Sequence, residues 1–211
     1  MKKFLMMALA AILMAAPAAM SQNKALQKAL NKEKKEKMKE YKTEGWKLFG
    51  SSRSLEVALL SHYDKLAELG DDGREVVGIA SRFKSKNIGK QMAANNACIS
   101  YAQQAGSSLK GRVVSDMSGD GTTGEKEFDN FYAAYERQLE KEIKGEMTPS
   151  YAIIHDNGDG TFELQEFYIV SESAASKARI RAMEDAMKES EVAQKHAQKI
   201  SEFVREGFEN E

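Results

Sequence analysis

Two stretches of this chain carry oxygen-bearing side chains at the spacing of a calcium loop. Asp116, Ser118, Asp120, Gly121 and Glu127 match positions one, three, five, six and twelve of the EF-hand template. That spacing would set three short side-chain oxygens around the ion, with Glu127 closing the shell through both carboxylate oxygens. A second near-match runs from His155 to Glu166, with Asn157, Asp159, Gly160 and Glu166 in register. His155 offers a nitrogen at position one, where a hard cation wants a carboxylate, and Gly124 removes a side-chain contact from the first loop. Pro149 and the β-branched Ile153-Ile154 precede the second loop, and Phe162–Val170 follows it with strand character, whereas an EF-hand needs a helix on each side. Both segments therefore read as glycine-rich turns whose Asp and Asn suit turn geometry. A calcium site at Asp116, Ser118, Asp120 and Glu127 is the alternative, and no other cofactor is expected.

Enzyme chemistry has fewer handles. His62, His155 and His196 are dispersed over an expected helix, a hairpin edge and a charged helix. Ser61 and Asp64 flank His62, but such neighbours point in different directions on a helix and cannot form a local triad. No HExxH, CxxC, GxSxG or phosphate-loop pattern occurs. Cys98 is the only cysteine, so no intramolecular disulfide forms, and its alanine-rich setting reads as a small buried residue. The chain is expected not to be an enzyme, with a site assembled from distant residues as the alternative.

The elements that would position these groups follow from periodicity. Residues 22–44 hold eight lysines and four glutamates, an exposed charged helical spacer with a lysine-rich surface-binding arm as the alternative. Gly45–Gly50 reads as a short strand around Trp46 and Leu48. Ser54 caps a helix near Leu55–Leu69, and Glu75–Phe83, apolar on both faces, reads as a central strand. A helix from Ser85 or Asn87 to about Leu109 carries Ile88, Met92, Ile99 and Ala102, loosened at Gly106 and Gly111, with a short strand at Val113-Val114.

Thr122 to Glu125 fits a capping box ahead of an amphipathic helix whose Phe128, Phe131, Tyr132, Tyr135, Leu139 and Ile143 should face a sheet. Ser150–His155 and Phe162–Val170 flank Asn157-Gly158-Asp159-Gly160, the strongest hairpin signal in the chain. One last helix is expected from about Ser173 to Phe203, with coiled-coil-like spacing at Ile180, Met183 and Met187. The fold class is α+β: a small antiparallel or mixed sheet with a C-terminal hairpin, packed by long helices, as a single domain over 45–211.

At the front of the chain, Lys2-Lys3 precede an apolar run from Phe4 to Ala16, and small residues lead to Ser21, the layout of a signal peptide over 1–21. The run is too short to span a bilayer stably, so no transmembrane segment is expected after cleavage. The whole chain has 31 basic and 32 acidic residues. Removing the two leader lysines leaves a charge near −3, too balanced for a nucleic-acid binder.

The order of Gly45-Trp46-Lys47, Val77-Gly78-Ile79-Ala80, the alanine-rich helix behind it, and Lys144-Gly145-Glu146 leading into Ser150–Ile154 resembles small exported proteins of unknown function from gut-type anaerobes. These are distantly similar to the twenty-kilodalton envelope lipoprotein family of Helicobacter. The resemblance covers roughly residues 40–190. It implies a sheet packed by long helices and a place at the cell envelope, and it carries over no catalytic residue. The chain departs from the lipoproteins in lacking a cysteine that could be lipidated near the leader. The expectation is an exported protein, periplasmic or at the outer envelope or secreted, that is non-enzymatic and mediates protein interaction or self-association.

Overall fold

The computed structural model describes residues 28–117 and 125–207. A helix α1 covers 28–44 and leads into a two-residue strand β1, Lys47–Leu48. Helix α2, Leu55–Leu69, starts on Ser54, whose hydroxyl accepts from the Val57 amide, as its sequence position predicts. A tight turn at Gly70–Asp72 delivers β2, Gly73–Phe83. Then come α3, Lys86–Met117, and α4, Glu125–Lys144. The hairpin β3, Thr148–Asp156, and β4, Phe162–Ser171, is followed by α5, Glu172–Met187, α6, Glu191–Lys195, and α7, Ala197–Glu206. No helix among the described residues is long and apolar enough to cross a membrane.

The fold is α+β, built on one antiparallel sheet of order β1-β3-β4-β2. Strand alternation gives β4 two buried faces. Leu164, Glu166, Tyr168 and Val170 point toward α3, while Phe167 points toward α1 and α2. Helices therefore cover both faces, and this corrects the reading of β2. Its apolar faces come from a helix on each side, not from a central place: β2 is an edge strand paired to β4 alone. Asn96 of α3 donates its amide to the Ile79 carbonyl at 2.7 Å, and a bulge between Ala80 and Phe83, with Arg82 at φ 54°, turns Phe83 back into the core. At Gly78 the approach is closest, since a Cβ there would sit 1.9 Å from the Ala93 carbonyl oxygen.

Four other readings change. Helix α1 is not a free spacer: Tyr41 is 2% exposed, and Leu30 and Met38 pack beside it against α2 and the sheet. Helix α3 runs straight through Gly106, Gly111 and Val113-Val114, because Val113 is buried against the other helices and tertiary packing overrides local propensity. The aromatic stripe of α4 is buried as core, yet it packs on α3 and α5 and not on the sheet. The last helix is divided: α5 ends at Met187, the backbone turns extended at Ser190, and Ser190 caps α6 by accepting from the Ala193 amide. That break lets α7 fold back against α5 and α3 instead of continuing as a coiled-coil rod.

Candidate functional site: a sealed histidine beneath a bulged serine

Helix α2 turns Leu59, His62 and Tyr63 inward, and His62 is 0% exposed. Its ring stands on an aromatic floor. Tyr151 of β3 and Phe167 of β4 stack at 4.2 Å, and the imidazole meets Tyr151 edge-on at 5.2 Å and Tyr63 at 5.3 Å. Ser150 reaches this ring because the β3–β4 register slips between Pro149 and Tyr151, which leaves Ser150 as an extra residue. A bulge re-aims a side chain, and here it brings Ser150 Oγ to 2.9 Å from His62 Nδ1. On the other side, Glu75 Oε2 of β2 lies 2.5 Å from Nε2, but off the line of a ring N–H. The contact is thus electrostatic more than an aligned hydrogen bond.

A serine, a histidine and a carboxylate in sequence are the parts of a nucleophile relay. With the ring proton on Nε2, Nδ1 accepts from Ser150 and Glu75 faces the developing imidazolium. The ring is turned relative to the familiar relay, in which Nε2 serves the serine and Nδ1 the carboxylate. The same three groups also serve as a polar pin joining α2, β2 and β3. Around them, the Tyr41 and Tyr151 hydroxyls meet at 3.3 Å, and Tyr63 donates to Glu33 of α1 at 3.3 Å. Burial, reinforced by the Glu33 carboxylate, pushes the Tyr63 hydroxyl well above the usual phenol range. Burial also raises Tyr151.

An open cleft of about 360 Å³ lies on the same sheet face. Leu69, Ile169 and Ala174 are its apolar lining, with Lys65, Glu68, Glu146 and Thr148 among its polar neighbours. Ile169 pairs across the sheet with both Glu75 and Thr148, which places cleft and histidine side by side.

A second buried polar group lies in the helical layer. Arg179, 2% exposed, donates Nη1 to the Tyr101 hydroxyl at 2.8 Å and Nε to the Val204 carbonyl at 3.2 Å. It pairs with Glu172, whose other oxygen lies 3.2 Å from Arg74 Nε. Burial alone would lower the guanidinium, but Glu172 and Tyr101 outweigh it and hold the group above its ordinary value. Gly207, at φ 62°, passes so close that a Cβ would meet Arg179 Nη2 at 2.4 Å. This cluster locks β2, α3, α5 and the end of α7 together.

The sequence-derived ion ligands fare unequally. Asp116 falls in the last turn of α3 and Glu127 in the first turn of α4, while Ser118 and Asp120 lie outside the described residues. The second loop is a hairpin turn, with strands on both sides as expected. Its carboxylates are used inside the turn: Asp156 Oδ1 accepts from the Gly158 amide, and Asp159 Oδ1 from the Thr161 amide and hydroxyl. Those Thr161 bonds hold the Asp159 carboxyl below its ordinary value. Glu166 sits far along β4, buried toward α3. No group of three or more His, Cys, Asp or Glu among the described residues is placed to hold a metal ion.

Cys98 is buried, and burial raises its thiol. His155 packs on Trp46 and His196 lies against Phe128. Sequence reasoning looked for partners of His62 among its neighbours and missed Glu75 and Ser150. The one local trace is Pro149, which has no N–H for a ladder and marks where the strand departs from regular pairing. No family model, curated protein or solved structure matches this chain.

Proposed function

We propose that this is an exported cell-envelope protein that works by holding a protein partner, another protein or a second copy of itself, rather than by turning over a substrate. The observation that carries the reading is the cleft beside His62. Leu69, Ile169 and Ala174 offer it apolar area, and Lys65, Glu68 and Glu146 offer charges of both signs that a partner's polar rim could meet. The cleft's openness suits an extended segment better than a small molecule, and the neighbouring histidine is sealed under aromatic rings. The leader-like front of the chain and the resemblance to envelope proteins support the location. The test is a photo-crosslinking side chain at Thr148, with Asn157 at the hairpin tip as control. A discrete adduct at Thr148 alone, lost on Ala174→Arg, is the expected result, and its mass separates a partner from a second copy. Equal or absent adducts at the two positions refute the reading.

One observation favours a second reading, acyl transfer or hydrolysis through Ser150. A bulge aims its hydroxyl at a histidine that is backed by a carboxylate. A fluorophosphonate should then add to Ser150 and to no other serine, and Ser150→Ala should abolish the adduct. An unlabelled Ser150 after prolonged exposure removes this reading.

A further inference from the structure

Helix α1 carries an arrangement that neither the cleft nor the core uses. Lys28, Lys32, Lys35, Lys39 and Lys42 are all exposed, and their alternating spacing of four and three lines them along one side of the helix. The row is about 21 Å long at 1.5 Å per residue. Glu33, Glu36, Glu40 and Glu44 form their own row about a third of a turn away. Tyr41, Met38 and Leu30 face the core between the two rows on the remaining side.

Interleaved opposite charges would stabilise a solvated helix, whereas consecutive lysines three and four apart repel one another. Of the five lysines, only Lys32 has a carboxylate within ion-pair distance among the described residues, Glu36 at 3.7 Å. The helix is held by the packing of Tyr41 and its neighbours, and it presents a straight cationic edge on a rigid body whose charge is close to neutral overall.

We propose that this edge docks the protein on an anionic bilayer surface through lipid phosphate headgroups. A straight row fits a plane, and charge complementarity is the only attraction it offers, because the row contains no apolar side chain that could insert. It also contains no aromatic ring on which a nucleobase could stack, which sets it apart from a single-strand nucleic-acid groove. The inference goes beyond the partner cleft and does not depend on it.

The experiment uses the full chain and two sets of vesicles, pure phosphatidylcholine and phosphatidylcholine with roughly one-third phosphatidylglycerol. Lys2→Gln and Lys3→Gln are carried in every protein tested, so that the apolar run at Phe4–Ala16 contributes equally to both sets and the readout is the difference between them. Partition onto the anionic vesicles should exceed that onto neutral ones by about tenfold or more at low salt, and the excess should vanish at about 0.5 M salt. Replacing the five lysines by glutamine, itself a good helix former, should also remove the excess. Should that variant lose its helical signal, the salt series on the chain that keeps the five lysines decides alone. Equal partition on both vesicles, an excess that survives high salt, an excess retained by the folded glutamine variant, or binding to soluble heparin with none to vesicles each overturns the proposal.

Discussion

Raising the pH should unfold this protein in one step, because its tyrosines ionise less readily in the fold than in the open chain. All seven are buried, and burial pushes every hydroxyl above its ordinary value. Tyr132 is held at about 12, and Tyr63, Tyr135, Tyr151 and Tyr168 higher still. In the unfolded chain each titrates near about 10. A group with a raised folded value contributes stability that is complete below its unfolded value and is lost as pH climbs toward the folded one. At pH 11 each of these five tyrosines removes about 1.4 kcal/mol, about 7 kcal/mol in all. That matches the whole stability of an ordinary domain, about 5–15 kcal/mol, so unfolding should come close to pH 11. The assay follows tyrosinate absorbance and Trp46 fluorescence through an alkaline titration. Both should change together in a single steep transition. Tyrosinate absorbance that rises smoothly around pH 10 while the tryptophan signal stays native refutes the reasoning.

Glu172→Gln leaves the buried Arg179 guanidinium without its carboxylate and should cost about 3–5 kcal/mol, whereas Arg179→Met removes the charge itself and should cost clearly less. Urea midpoints for the two variants check the order, and the reverse order refutes it. Phe131 is fully buried in the helical layer, so Phe131→Ala should lose about 3–5 kcal/mol, or about 2–4 °C of melting temperature for each. A loss below about 1 kcal/mol contradicts that placement. Gly78→Ala forces α3 off β2 and should cost about 1–3 kcal/mol or more, while Gly111→Ala, with open space around its Cβ inside α3, should gain about 0.5–1 kcal/mol. Thermal melts of the pair should shift in opposite directions.

What could be read from the residues was what depends on near neighbours. Ser54 before an apolar period marks α2, the Phe128–Ile143 stripe marks α4, and two glycines among Asn and Asp between strand-like runs mark the β3–β4 turn. Three features depend on distant chain and were not legible. The edge position of β2 is set by which strand it pairs with, and helices on both faces mimic the pattern of a central strand. One ring, Tyr41, docks α1 in a segment otherwise dominated by charge. Finally, His62 draws Glu75 from β2 and Ser150 from 88 positions away, through a register slip whose one local trace is Pro149. The break after Met187 carries neither glycine nor proline, and its only trace is Ser190 ahead of Glu191, a common helix start.

The sheet's wiring imposes an order in time as well as in space. Val77 of β2 lies opposite Phe167, ninety positions further along, and β1 waits longer still for β3, since Leu48 pairs with Ile153. Only β3 and β4 are close in the chain, and closing the longer loops costs entropy that must be met before the distant contacts form. A polypeptide emerging N-terminus first therefore carries α1, α2 and β2 without the rest of their sheet until Ser171 has appeared. The aromatic floor beneath His62 arrives with the same late hairpin. Through most of its synthesis the chain has no finished sheet.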